Sequence, residues 1–278
     1  MRIAALTDIH SNFHALQACL TRAKAMGAQR FIFLGDYTSD CALPRETIDA
    51  LRATEREFPC TFIRGNRDDA QIDCRKNGCK WQWGSQGGSL RYTYESLRES
   101  DLDWLEGMPG PMRLELPGCA PLLLCHGSPE NQRELLYEHA QPTKKWAARI
   151  EGTMLCGHSH KTFLHKEAHS QIVNCGTVGV PGSGDSRSVF ALLESDAERG
   201  WQARFVPVEY DIEGAVEAIR TSGLLEKAPY WARGIIAELR TGRAFSMACL
   251  LLAQRIAARE GAPLNEEHWR QAGEKLGI

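Results

Sequence analysis

The sequence predicts an α/β fold followed by a helical C-terminal extension. Three observations carry that prediction: short apolar runs between Ile3 and Val208 that stop at an acid, amide or histidine, helical apolar spacing between the early runs, and helical patterning throughout after Tyr210.

Ile3 to Leu6 and Phe31 to Leu34 read as strands, and Phe13, Leu16, Leu20 and Ala23 mark a helix between them. A second helix is expected from Pro44 to about Ala53, and a strand from Cys60 to Ile63 that stops at Gly65-Asn66-Arg67-Asp68. From Asp69 to about Pro109 the chain turns polar, with glycines and tryptophans, then helical at Tyr92 to Arg98 and Asp101 to Leu105. This stretch reads as an insertion, a cap over about residues 69–110. Strands resume at Met112 to Leu116, Pro121 to Cys125, Thr153 to Cys156, Gln171 to Val173, Ser188 to Leu193 and Ala203 to Val208. Helices follow near Asp211 to Arg220, Pro229 to Leu239, Ala244 to Arg259 and Asn265 to Lys275. The expected organisation is a core over 1–208 and a helical extension over 209–278 packed on it.

With 278 residues, 43% hydrophobic and 24% charged, the chain has the composition of a globular protein with a sizeable core. Its net charge of −2 argues against a dedicated nucleic-acid binder. The longest strictly apolar run, Met247 to Ala253, is far short of the roughly 20 residues of a membrane span. Met1-Arg2-Ile3 opens a strand and not a secretion signal, so the expected location is the cytoplasm. Ten cysteines are scattered, and Cys125, Cys156 and Cys175 fall in or beside apolar runs, as buried reduced thiols do. Cys74 and Cys79 lie close together in a polar segment, but no second pair repeats their spacing.

The informative residues follow the apolar runs: Asp8-Ile9-His10, Gly35-Asp36, Gly65-Asn66, His126-Gly127 and Gly157-His158-Ser159-His160. Loops at the carboxyl ends of strands in an α/β sheet converge on one crevice, so these groups can meet in space. Two carboxylates, one amide and four imidazoles exceed the needs of one tetrahedral ion and suit two ions of higher coordination, with water filling the remaining positions. Oxygen and nitrogen donors favour manganese or iron, with zinc or nickel as alternatives.

The ordered set resembles the calcineurin-like metallophosphoesterase family from Met1 to about Val208, and within it the bacterial YfcE-like phosphodiesterase branch, whose longer members carry a similar helical extension. The resemblance implies a four-layer αββα sandwich of two mixed β-sheets with an inserted cap, and a dinuclear site at its top. It assigns Asp8, His10 and His160 to one metal and Asn66, His126 and His158 to the other, with Asp36 bridging. All seven positions are filled, which weighs against a non-catalytic scaffold. The implied reaction is hydrolysis of a phosphate ester or anhydride by a hydroxide shared between the cations, with Asp36, Asn66, Arg67 and His126 in catalytic positions and Asn66 and Arg67 facing substrate.

Protein phosphatases of the family carry His after Gly-Asn, as the acid for the leaving alkoxide. Here Arg67 stands there. A guanidinium stays protonated, so it suits a phosphate oxygen and a leaving group that needs little protonation. Equally, Arg67 can pair with Asp68 or Asp69 and face solvent. His14, His139, His165 and His169 are the remaining candidates for a substitute acid, with His14 expected on an exposed helix face. A second departure is Cys175 in Asn174-Cys175-Gly176, where the family often has proline; a reactive thiol and a buried small residue are the two readings.

Lying directly after Gly-Asn, the cap is expected to overhang the metals. Its Trp81, Trp83, Arg91, Tyr92 and Tyr94 either stack on a base or pack into the cap's own core. The apolar face Tyr230, Trp231, Ile235, Ile236 and Leu239 is expected to pack on core and cap, in a monomer or homodimer. The expected activity is that of a phosphodiesterase or nucleotide pyrophosphohydrolase on small phosphorylated or nucleotide substrates. The alternatives are a phosphomonoesterase, including a serine/threonine protein phosphatase, and a binding scaffold.

Overall fold

Alternation along strand β1 (Arg2–Leu6) sets the layering. Ile3 and Ala5 point into one apolar cluster with Leu122, Leu124, Leu155 and Val173, and Ala4 and Leu6 into another with Leu16, Phe31, Phe33 and Leu51. The first cluster lies between two sheets, and the second lies between a sheet and its helices. The computed structural model describes residues 1–196 and 198–278.

One sheet has the order β10-β9-β1-β2-β3, with β2 (Arg30–Phe33), β3 (Cys60–Phe62), β9 (Ser188–Asp196) and β10 (Gly200–Val208). Strands β1, β2 and β3 run parallel, while β9 is antiparallel to both neighbours. The other sheet has the order β4-β5-β6-β8-β7, with β4 (Met112–Leu114), β5 (Leu122–Leu124), β6 (Gly152–Cys156), β7 (Phe163–Lys166) and β8 (Ser170–Asn174). Helices α1 (Phe13–Ala25) and α2 (Pro44–Glu57) cover the first sheet, and Trp146 of α6 (Gln141–Ala147) packs with Met154 and Ile172 on the second. The expected sandwich of two mixed sheets between helical layers is the observed fold. Because β1, β2, β3, β5 and β6 are parallel within their sheets, the loops beyond them gather at one end.

The polar segment after β3 is helical from its start. Helix α3 (Asn66–Asn77) is capped by Asp68, whose carboxylate accepts the backbone N–H of Gly65 at 2.9 Å. Helices α4 (Gly88–Ser96) and α5 (Glu99–Glu106) follow. Leu102, Leu105 and Trp104 of α5 pack with Phe62 and Tyr37, which draws this segment down beside β3. No residue of 69–110 lines the cavity at the end where the loops gather, so the expected overhang is not formed by the cap. Trp83 stands exposed beneath Arg91 and Lys227, and Tyr92 donates its hydroxyl to the Ala42 carbonyl.

Helices α7 (Ile212–Thr221), α8 (Leu224–Lys227), α9 (Pro229–Thr241), α10 (Phe245–Glu260) and α11 (Glu266–Leu276) share an apolar cluster with Cys41 and Ala42 beyond β2, Tyr92 of α4 and Val180 beyond β8. They thus pack on cap and core at the end where the loops converge. Helices α9 and α10 meet at Gly234, where an added Cβ would lie 2.7 Å from the Ser246 Cα. Gly234→Val should lower unfolding stability by about 1–3 kcal/mol through overpacking, measured by urea denaturation. Wild-type stability in that variant would show that the two helices are free to part.

Candidate metal centre

The turns beyond the strands are held in an unusual backbone. Asp8, His10, Ser11, Asp36, Ser39, Asp40, His158 and His160 are the non-glycine residues with positive φ among the described residues. Such a conformation costs about 1–2 kcal/mol per residue, and its confinement to three loops marks them as the place where side-chain aim outweighs backbone comfort. Close approach makes the rest possible. A Cβ on Gly157 would lie 2.5 Å from Asp8 Oδ2, and one on Gly65 2.2 Å from Asp36 Oδ1.

The structure brings all seven expected donors together. Asp8, His10 and His160 form one group, and Asp36, His126 and His158 a second, with the ligand atoms of each within 4.8 Å of one another. Asn66 Oδ1 lies 3.2 Å from His126 Nε2, alongside the second group. Asp36 Oδ2 sits 3.3 Å from His126 Nε2 and 4.0 Å from His10 Nε2, between the two groups.

The outer hydrogen bonds fix which atoms face inward. His126 Nδ1 donates to the Leu34 carbonyl at 2.8 Å, His160 Nδ1 to the Val180 carbonyl at 2.7 Å, and His10 Nδ1 to the Ser39 hydroxyl oxygen at 3.1 Å, with Asp40 Oδ2 3.0 Å away. Each neutral ring then turns a bare Nε2 inward. His10 Nε2 and His160 Nε2 lie 3.1 Å apart, and His126 Nε2 faces two oxygens. Asp8 Oδ2 accepts the Thr7 hydroxyl and the His158 N–H, whereas its Oδ1 is buried without a hydrogen-bond partner. Acceptors aimed at acceptors need positive charge between them. Nitrogen and oxygen donors in two adjoining groups fit two transition-metal cations.

Without metals, protons supply that charge. Burial opposes an ionised His10, but the carboxylates of Asp40 and Asp8 beside it outweigh that and lift its pKa to about 10. Burial likewise opposes a charged His126, and the charges of Asp36 and Asp8 raise it to about 9. Asp8 and Asp36 resist the upward push of burial and stay below the usual carboxylate range because of these imidazoles. His158 goes the other way, to about 4, through burial and the neighbouring His126.

Asp40, which no sequence pattern singled out, ties the centre to its surroundings. Its Oδ2 lies 3.0 Å from His10 Nδ1, and it accepts the Ser39 hydroxyl at 3.0 Å, the Ser89 hydroxyl of α4 at 3.3 Å and the Trp231 indole N–H of α9 at 2.9 Å. Arg67 Nη2 lies 3.6 Å away. The surface pairing considered for Arg67 is not made: Asp68 accepts the backbone N–H groups of Gly65, Asp36 and Tyr37, and Asp69 pairs with Arg64. The four spare histidines do not line the metal cavity. His139 and His165 pair with Glu138 and Glu167, and His14 lines a separate groove beside α1. Cys175 is buried, and burial pushes its thiol well up, so it is no reactive thiolate. All ten cysteines, Cys74 and Cys79 included, are free.

A family model described as the calcineurin-like phosphoesterase superfamily domain matches residues 1–198. The chain belongs to that superfamily. As a member, this phosphoesterase is a phosphoester hydrolase, and the family implies divalent metal ions for the two His/Asp groups. It is 25% identical to an uncharacterized protein of Methanocaldococcus jannaschii over 240 residues, which is 81% of this chain and 94% of the other. The crystal structure of a metallophosphoesterase from Sphaerobacter thermophilus superposes with a TM-score of 0.68 at 26% identity, over 87% of this chain and 100% of that one. A hypothetical protein of Pyrococcus horikoshii OT3 shares the fold with a TM-score of 0.72 at 24% identity, over 87% and 98% of the two chains. No helix is long and apolar enough to cross a membrane among the described residues.

The raised imidazoles give a pH dependence with a definite sign. A histidine with a folded pKa above its unfolded value of about 6.5 contributes stability below that pH, and the contribution is lost as pH rises through the folded value. Chelator-stripped protein should therefore lose stability between pH 6.5 and the values of about 9 and 10 for His126 and His10. The depressed His158 acts below pH 6.5 and leaves that window alone. Adding Mn2+ at pH 7.5 should release protons, read by calorimetry in buffers of different ionisation enthalpy. Uptake without proton release would contradict this charge assignment.

Proposed function

We propose that this phosphoesterase is a dinuclear hydrolase of phosphodiesters or nucleotide pyrophosphates, with Asp8, His10 and His160 at one cation, Asn66, His126 and His158 at the other, and Asp36 between them. The observation that carries the substrate preference is Arg67, beside the donors and on the wall of a cavity of about 470 Å3 that also takes in His10, Asp36, Asn66, His158 and His160. That volume suits a small phosphorylated molecule.

Bound cations would supply an acidified water as nucleophile and neutralise charge on the phosphoryl oxygens; manganese or iron suits the donors best. The chain's own groups orient the substrate around that chemistry. Asp40 holds the Arg67 guanidinium in place, and the charges of Asp40, Asp36 and Asp8 raise its already high pKa. It is a permanent cation, able to grip a phosphate oxygen but unable to cycle as a proton donor. Asn66 turns its carbonyl oxygen toward His126, which leaves its amide N–H groups for a phosphate oxygen. Lys161 adds a second cation to the cavity wall. With no histidine available as an acid, a leaving group stable as an anion, such as a nucleotide phosphate or an aryl oxide, is favoured over a serine or threonine alkoxide.

Manganese-loaded protein should hydrolyse bis-p-nitrophenyl phosphate with higher kcat/KM than p-nitrophenyl phosphate, and the reverse order would overturn the diester reading. Asp36→Asn, which removes one charge without changing volume, should abolish turnover with the fold intact by circular dichroism; unaltered turnover would sink the bridging role. Arg67→Ala should lower kcat/KM by about ten- to a hundredfold, the range of a charge-assisted hydrogen bond of roughly 1.5–3 kcal/mol. Kinetics within twofold of wild type would remove Arg67 from the substrate site.

A further inference from the structure

We propose that α9 and α10 form a nucleobase-binding wall beside the metal centre, in which Glu238 hydrogen-bonds the polar edge of the ring and selects nucleoside-bearing phosphoesters. This deepens the phosphodiesterase reading and rests on it.

The same cavity that takes in the metal-binding groups is bounded on its far side by Trp231, Ile235, Glu238, Ala244, Ser246 and Met247, all from α9, α10 and the turn between them. Its rim is apolar where solvent reaches it. Among the described residues six large apolar side chains stand exposed, and three of them, Leu135, Tyr137 and Met247, line this one cavity. Exposed apolar side chains gathered at a pocket mouth point to a ligand with an apolar face. Trp231 is fixed for such a contact. Its indole N–H is held by Asp40, and its ring meets Trp269 edge-on at 6.3 Å.

Within this wall stands one carboxyl group. Glu238 is 2% exposed, and its Oε1 accepts both the backbone N–H and the hydroxyl of Ser246, at 3.0 and 2.9 Å. Its Oε2 is buried with no hydrogen-bond partner in the protein. A buried polar atom left in this state calls for an explanation, and a ligand in the cavity that Glu238 lines supplies one. Burial raises the carboxyl to about 8, so at neutral pH Oε2 carries a proton and is a donor. Its complement is a ring nitrogen or carbonyl acceptor. A substrate with phosphate on Arg67 and Lys161, an apolar ring face toward the helices and an acceptor at the ring edge is a nucleotide.

The test holds the reacting bond constant. Nucleoside 5′-(p-nitrophenyl) phosphates with each of the four common bases are compared with methyl p-nitrophenyl phosphate on manganese-loaded full-length protein. The wild type should favour at least one nucleoside ester by about tenfold or more in kcat/KM. Glu238→Leu should collapse that ratio, whereas Glu238→Gln, which keeps an acceptor for Ser246 and a donor for the ligand, should retain most of it. Ala244→Trp, at an exposed position where a larger ring narrows the cavity without entering the core, should collapse the ratio too. A wild-type ratio near one for all four bases, or a ratio unmoved by Glu238→Leu, would overturn the proposal. If no ester is hydrolysed, the phosphodiesterase reading has failed. The wall is then judged by calorimetric binding of the four nucleoside 5′-monophosphates to chelator-treated protein: the tightest should weaken about tenfold in Glu238→Leu, and no binding, or equal binding, would overturn it.

Discussion

The structure turns on a concentration of inward-facing acceptors that has no internal remedy. Asp8, Asp36 and three imidazoles with their outer nitrogens already committed converge at the ends of parallel strands, in backbone conformations that side-chain-bearing residues adopt only under constraint. Two buried carboxylates need counter-charge, since uncompensated burial of an ion costs several kcal/mol. Protons on His10 and His126 meet that need in the metal-free protein, and the proposed cations would meet it in their place.

The rest of the fold holds this cluster still. Asp68 fastens the Asp36 turn to the start of α3 through three backbone N–H groups, which also aims Asn66 and lets the Arg67 N–H donate to Asp36 Oδ1 at 2.7 Å. Asn174 donates to the Gly157 carbonyl at 2.7 Å and steadies the loop bearing His158 and His160. Asp40 reaches further: it orients His10, anchors Arg67 and accepts from α4 and α9, so the cap and the C-terminal helices are linked to His10, a proposed metal ligand, through a single carboxylate. Substitutions in α9 therefore have a short route to the chemistry.

Much of this was legible from residue order. Each of the seven donors follows an apolar run, and strand ends are where an α/β fold collects its loops. Strands β1, β2, β5 and β6 were readable because most of their residues are buried, whereas β7, with Phe163-Leu164-His165-Lys166, is short and half polar. Helix α3 was hidden because its sequence has few apolar residues and its start is set by Asp68, a contact with no periodic signature. The cap's position was not legible because adjacency in sequence to Asn66 does not imply adjacency in space: Trp104 and Leu105 pack with Tyr37 and Phe62 and hold the segment beside β3. Asp40 carries no motif, since its importance comes from four partners distant in the chain. Glu238 did leave a trace: an acid one turn beyond Ile235 on the apolar face of α9 breaks the pattern, and such a break is a signal that periodicity alone smooths over.

The account stands on two cations sharing Asp36. Anomalous diffraction from crystals grown with Mn2+, collected at the manganese edge, measures this directly. It should show two peaks per chain, one among Asp8, His10 and His160 and the other among Asn66, His126 and His158, with Asp36 touching both. A single peak, or two peaks elsewhere, would contradict it.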